Sequence, residues 1–476
     1  MKRTKRIWVL LGVLAVICGA TLLLNQYEEK QERIQAANLV LLQIPEEDVT
    51  ALSWEYSGGG SLGFTREEDG WIYNEDADFP VSQEKIRQIL GHFREFSVTF
   101  RIEDVTDYSQ YGLDDPECIL HISGNEIDYA LRLGAFSKMD QQRYLDIGDG
   151  CVYLVEEDPE DYLTSSLSAM IQHDDTPGFE TVNSITFSGA QSYTITREEN
   201  STATYAPEDD IYFTTRDGKT VPLDTASMRK YLNTITALDL MNYVTYHATE
   251  EDLKTFGLDA PVLTIEVDYA VTDDDGNATS QICTVHISEN PEERAAADEA
   301  EAAGEAPGSV TKYVRIGDSS IVYTLDNTDF AILKAASYDD LRHKTLFWGD
   351  FSLVDGIEVE LEGSTHTLTL QPLEDEEDEE DETGWFYDGR EVDLSEFRAA
   401  LENLTADSFT VETPGERLEL SLTLHLTDDN FSEVSLRLYR YDGSFCLAQV
   451  DGKSVCLLPR SLVMALVEAV QSIVLS

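Results

Sequence analysis

The chain has 476 residues, with 33 Lys and Arg against 92 Asp and Glu, for a net charge of −59. A surface of that sign repels nucleic acid and anionic lipid headgroups, which excludes both as partners. With 42% hydrophobic residues the chain folds rather than remaining disordered.

Lys2, Arg3, Lys5 and Arg6 open the sequence, and residues 7–24 follow without a charge. At about 1.5 Å per residue such a run spans roughly 27 Å, close to a bilayer's hydrocarbon core. It is longer than a signal-peptide core of roughly 7–15 residues, and no small-x-small site closes it. Ile17 stands before Cys18, where lipoprotein processing needs a small residue. The expectation is a cytoplasmic basic tip (1–6), a single transmembrane helix (7–24) and a stalk (25–48), with all later residues outside a bacterial cell membrane. An exterior of about 450 residues predicts two to four domains.

The exterior then repeats itself. Strand signals begin at Val49, Val182 and Val354, each with an apolar first, fourth and sixth residue. Each unit continues with an amphipathic helix at i, i+3, i+4, i+7 spacing: Ile86, Ile89, Leu90 and Phe93; Met228, Tyr231, Leu232 and Ile235; Phe397, Ala400, Leu401 and Leu404. Ser82, Asp224 and Asp393 stand where N-caps accept first-turn amides. Val81, Leu223 and Val392 stand where hydrophobic staples pack. Three registers in agreement predict related units at 49–175, 182–347 and 354–476.

Two phrases, "YGLDDP" from Tyr111 and "FGLDAP" from Phe256, lie 145 residues apart (256 − 111). Each reads as a helix stop followed by a strand start, not as a duplicated binding loop. Thr249 caps a short helix and Gly257 is its left-handed terminator, with Asp259 and Pro261 turning the chain. Asp104, Gly112, Asp114 and Pro116 take the same roles in unit one. Unit three shortens the phrase around Pro414 and Gly415. Turn signals such as "GDG" and "VDGK" close each unit with a hairpin, and helices are expected near 162–171, 330–336 and 462–470. The fold class is α+β: three tandem units of antiparallel strands, helices packed on one face, after one N-terminal transmembrane helix.

Two insertions interrupt the pattern. The Ala/Glu/Pro/Gly-rich stretch at about 289–310 reads as a mobile loop. Nine consecutive carboxylates at 374–382 read as a solvated hairpin tip, where "REEDG" stands in unit one.

Chemical motifs do not survive their context. "GGSLG" at 59–63 lies between strand signals rather than before a helix, so it is a hairpin and not a nucleophile elbow. "SQEK" at 82–85 lacks its companion motifs, and its serine is a cap. "VTDDDGNATSQI" fails calcium-loop spacing at Val271 and Ile282, and reads as a turn between strands at 262–270 and 281–287. Eight scattered histidines and no phosphate loop leave no catalytic, cofactor-binding or metal residue to name. Cys118, Cys151, Cys283, Cys446 and Cys456 are odd in number and lack CxxC spacing. Of these, Cys446 and Cys456 flank a predicted hairpin turn at Asp451-Gly452 and form the one pair placed to bridge. Trp71 and Trp385 are either shared surface aromatics or core residues before each helix.

"DGWIY", "YGLDDP", "LRLG", "YLDIGDGCVYLV" and "DDLRHKTLF" together resemble the bacterial family called domain of unknown function 4340. The resemblance is clearest over 49–175 and 182–347. It implies a membrane-anchored envelope protein beside ABC-type export systems, with transporter subunits or other envelope proteins as partners, and carries over no catalytic residue. The functional expectation is a non-enzymatic extracytoplasmic accessory or scaffold; the alternative is a module binding wall glycan, peptide or divalent cation.

Overall fold

The computed structural model describes residues 34–475 apart from 156, 274 and 374–382. The expected tip and anchor, the first part of the stalk and the acidic run lie outside the described residues. Among the described residues no helix is long and apolar enough to cross a membrane.

Three antiparallel sheets of nine strands each form the fold. In the second sheet Thr181–Gly189, Tyr193–Arg197, Tyr212–Arg216 and Lys219–Pro222 step outward from the centre to one edge. The capped helix Thr225–Thr236 follows, then the strand Tyr243–Thr245 on the far edge. Leu263–Thr272 returns beside the first strand, and three more strands step out to meet the far edge. The third sheet has the same order from Val354–Leu361 through Lys453–Pro459. The first sheet follows it with one strand fewer at one edge and one more, Ile34–Leu42, at the other. That extra strand pairs with Phe96–Ile102, so the expected stalk joins the sheet from Ile34 onward. The chain divides after Asp174 into two compact units, so the second and third repeats share one.

The apolar spacing at each unit's start has a physical cause. Residues one, four and six cannot share one face of a regular strand, whose side chains alternate with period two. The ladder shifts register between Val49 and Ala51, between Val182 and Ser184, and between Val354 and Gly356. One bulged residue in each brings all three apolar positions to the same face. All nine of these side chains are buried.

The repeated phrases are C-caps. In unit two the helix Glu250–Thr255 has a Thr249/Asp252 capping box and ends with Leu258 N–H donating to Leu253 O at 2.7 Å. In unit one a 3-10 turn, Ser109–Tyr111, ends with Leu113 N–H donating to Tyr108 O at 3.1 Å. Both are Schellman closures, with Gly112 at φ 68° and Gly257 at φ 70°. A Cβ on Gly257 would lie 2.8 Å from Glu289 O, and one on Gly112 would lie 2.9 Å from Ala135 N. Gly257→Ala and Gly112→Ala are each expected to lower stability by about 1–3 kcal/mol, since left-handed strain and a backbone collision act together. Urea unfolding checks this; an unchanged midpoint would mean that the closure is not needed.

Several expectations are corrected. Asp104 is not a cap but a left-handed residue at φ 53°, and Asp107 accepts the Ser109 amide instead. The stretch 162–171 is not one helix: a 3-10 turn, Pro159–Tyr162, ends at its start and a second, Leu167–Met170, lies within it. The insertion near 289 is ordered: Pro291–Ala302 is a helix capped by Asn290, with Pro at its first turn and Ala297 buried. Its alanines and glutamates suit a helix as well as they suit disorder, and the cap decides. Asp393 accepts the Ser395 amide at 2.9 Å, but the backbone ladder of Ser395–Glu402 begins one residue later, at Leu394. Ser82 and Asp224 cap as expected.

Candidate functional site

The same hairpin tip takes different forms in the repeats. Unit one turns tightly at 68–69 between Ser61–Glu67 and Gly70–Tyr73. In unit two the tip lengthens to 198–211, between Tyr193–Arg197 and Tyr212–Arg216. This loop inserts Tyr205 and Ala206 into the core of the third repeat, alongside Leu346, Phe347 and Phe351. Tyr205 stacks on Phe347 at 5.4 Å and meets Trp348 at 4.8 Å.

Beside it lies Asp210, fully buried. Its carboxylate accepts from His343 Nε2 at 2.8 Å, Trp348 Nε1 at 3.0 Å and Thr204 Oγ1 at 2.5 Å. The His343 and Trp348 rings stack at 4.3 Å, nearly parallel. A buried carboxylate is tolerated only when its oxygens are satisfied, and here three donors from two segments satisfy it.

The segment that carries His343 and Trp348 is the connector between the repeats. Leu341 O accepts from the amide of the cap residue Asp224, at 2.9 Å, so the connector closes unit two. Leu346 N–H donates to Leu404 O at 3.0 Å, and Ala406 N–H to Lys344 O at 2.8 Å, so it also opens unit three. The tail of unit one meets its own cap in the same way, with Ser82 N–H donating to Met170 O at 2.8 Å.

Against the connector is a cavity of about 370 Å³. Trp348, Phe409, Val450 and Val455 form apolar wall, and Lys219, Arg342, Lys344 and Lys453 supply cations against one carboxylate, Asp451. Arg342 lies over Phe409 at 4.4 Å and 3.5 Å from Asp339. The three lysines are exposed.

A second polar cluster lies in unit one. Arg143, 5% exposed, donates through Nε to both oxygens of Asp158 at 2.7 and 2.8 Å. Its Nη1 donates to Glu117 at 2.5 Å and to Gly134 O at 2.6 Å, and Nη2 donates to Glu160. Asp158 also accepts the Glu160 amide, fixing the 3-10 turn that follows the sheet. All three guanidinium nitrogens donate within the fold, which makes this a structural clamp.

The nine repeat markers (Ser82, Asp224, Asp393, Gly112, Asp114, Pro116, Gly257, Asp259 and Pro261) stay at their separate helix ends and turns and are not brought together. Trp71, 6% exposed, is a core residue, and Trp385 is half-buried against the third core beside Phe351 at 6.0 Å. Among the described residues no group of His, Cys, Asp and Glu is placed to hold a metal ion. Neither Asp210 nor Arg143 stood out in the sequence. "RHKTLFW" did offer a signal, because Arg342, His343, Lys344 and Trp348 stand together in an acidic chain.

All five described cysteines are free and buried. The one pair placed to bridge does not: Cys446 faces Leu458 and Cys456 faces Ala448 across their hairpin. Burial pushes the Cys283 and Cys446 thiols up to about 11, and those of Cys118 and Cys456 up to about 12. The thiolate is the reactive form. Iodoacetamide at about pH 8 is therefore expected to spare these four in the folded chain and modify them on unfolding. Mass spectrometry after timed labelling reads the outcome; modification at a free-thiol rate would contradict it.

Fold and cleft together define a mostly β protein of repeated sheets, two of them joined through a buried polar node. The chain belongs to the family described as domain of unknown function 4340, whose sequence model matches residues 71–261 and again 221–423. The two matches start 150 residues apart (221 − 71) and end 162 apart (423 − 261), a spacing close to that of the sheets. No curated protein and no solved structure matches the chain.

Proposed function

We propose that this chain is a non-enzymatic scaffold of the bacterial cell exterior, held by its N-terminal apolar run and serving an ABC-type export or envelope assembly. The observation that supports the reading is the junction of the second and third repeats. Tyr205 enters the neighbouring core and Asp210 binds the connector, so two repeats act as one body. Stacked repeats with a shared core suit a protein that holds a partner in fixed register. In this reading each sheet keeps its helices on one face and leaves the other to partners.

The test is chemical crosslinking of the full-length protein in native membranes, followed by capture and identification of the attached chains. Recovery of the same membrane-transport subunits from wild type, and their loss when Tyr205→Ala uncouples the repeats, supports the scaffold. Recovery of no protein partner overturns it. The ligand-binding reading is favoured by one feature, the cation-rich cleft, which suits anions rather than the divalent cations weighed from the sequence.

A further inference from the structure

We propose that the cleft beside the connector binds a small anion bearing two or more anionic oxygens, of phosphate or carboxylate type. The inference goes beyond the scaffold reading and does not depend on it.

The composition makes the cleft unusual. Lys and Arg are 33 of 476 residues, so about one would be expected among thirteen lining residues, and four are present. Arg342 is partly answered by Asp339, but Lys219, Lys344 and Lys453 have no carboxylate partner among the described residues. In a chain with 92 acidic side chains, three ammonium groups on one concavity that lack a carboxylate partner among the described residues call for a ligand more than for a solvated face. Asp451, the single opposing carboxylate, is engaged by the Ser435 amide at 3.0 Å.

The groups come from three separate elements. Lys219 starts the edge strand Lys219–Pro222 of the second sheet, and Lys344 lies on the connector. Lys453 starts Lys453–Pro459, beyond the turn at Gly452 in the third sheet. Their convergence depends on the junction, because Asp210 fixes His343 immediately before Lys344. The floor is equally built: the Trp348 indole is held by hydrogen bond and stacking, and Phe409 carries the Arg342 guanidinium. A ligand with charged oxygens at one end and a flat or apolar part at the other meets both.

Size decides which anions enter. Long polyanions feel the repulsion of the whole surface, whereas charges beyond roughly 8 Å are largely screened at physiological salt. A small anion inside a cavity of about 370 Å³ is governed by the nearest lysines. Ammonium groups bind such oxygens as point charges, so affinity should fall as salt rises.

The experiment is calorimetric titration of the full-length protein in neutral detergent, with inorganic pyrophosphate in one arm and tricarballylate in the other. Saturable binding is expected in at least one arm, which distinguishes a phosphate from a carboxylate ligand. Lys344→Glu with Lys453→Glu is expected to weaken it by roughly tenfold or more, with an unchanged unfolding midpoint because both side chains are exposed. Lys344→Gln with Lys453→Gln gives a milder loss and guards against misfolding of the reversed variant. Absence of saturation in both arms up to about 10 mM, or equal affinity in the reversed variant, overturns the proposal. Capture of envelope partners by the same variants is a separate readout, so failure of this site leaves the scaffold reading standing.

Discussion

Replacing Arg143 with methionine is expected to destabilise the first compact unit by about 3–5 kcal/mol, the cost of breaking a buried ion cluster from one side. Arg143 serves the Asp158 and Glu117 carboxylates, the Gly134 carbonyl and Glu160, and only 5% of it reaches solvent. Methionine fills much of the volume but leaves Asp158 buried without its counter-ion. Burial already raises the Glu160 carboxyl above its ordinary range despite the nearby guanidinium, and nearby Glu117 and Asp158 add to the rise. Removing the cation deepens that penalty. Urea unfolding of the full chain should show the first unit's transition moving to lower denaturant while the second stays in place. Adding Asp158→Asn and Glu160→Gln to Arg143→Met should restore much of the loss, since it neutralises the two more buried carboxylates and leaves only the half-exposed Glu117 charged. A change under about 1 kcal/mol for the single variant would mean the cluster behaves as solvated surface ion pairs.

What could be read from the sequence was whatever is decided within a few residues. The helix stripes, the caps Ser82 and Asp224 and the closures at Gly112 and Gly257 are local hydrogen-bond devices, and residue type declares them. Repetition added strength, because the same device recurred in register. The spacing of apolar residues at each unit's start also carried the bulge, although a simple alternating strand does not predict it. Composition misled at 291–302, where the Asn290 cap and Pro291 outweigh a disorder-like alphabet. The clamp and the node were invisible for a different reason. Asp210 and Trp348 are separated by 138 positions, and Arg143 and Glu117 by 26. Among 92 carboxylates nothing local distinguishes the ones that become buried. Beside "RHKTLFW", the long tip at 198–211 with Tyr205 in a polar loop is a signal from which the reach of this hairpin could have been found.

The second large effect is expected at that tip. Asp210→Ala leaves His343 Nε2, Trp348 Nε1 and Thr204 Oγ1 without their common acceptor. An unsatisfied buried donor costs about 1–3 kcal/mol, and partial rearrangement toward water should hold the total near 2–5 kcal/mol. For a large unit this corresponds to a fall in Tm on the order of 5–10 °C. Asp210→Asn keeps the shape: its oxygen can accept from Trp348 Nε1 and Thr204 Oγ1 while its amide donates to the neutral His343 ring, so it should rescue much of the loss. Position matters as much as size, because Tyr205 and the connector tie the two repeats together at this point. Amide hydrogen exchange should therefore rise first at 342–348 and 199–210, while the strands Val354–Leu361 and Leu418–Leu426 stay protected. Uniform loss of protection across the third sheet would instead mean that the node supports the fold as a whole. An unchanged Tm would mean that water already serves the three donors, and the coupling of the repeats would then rest on the Tyr205 ring stack and the backbone bonds of the connector.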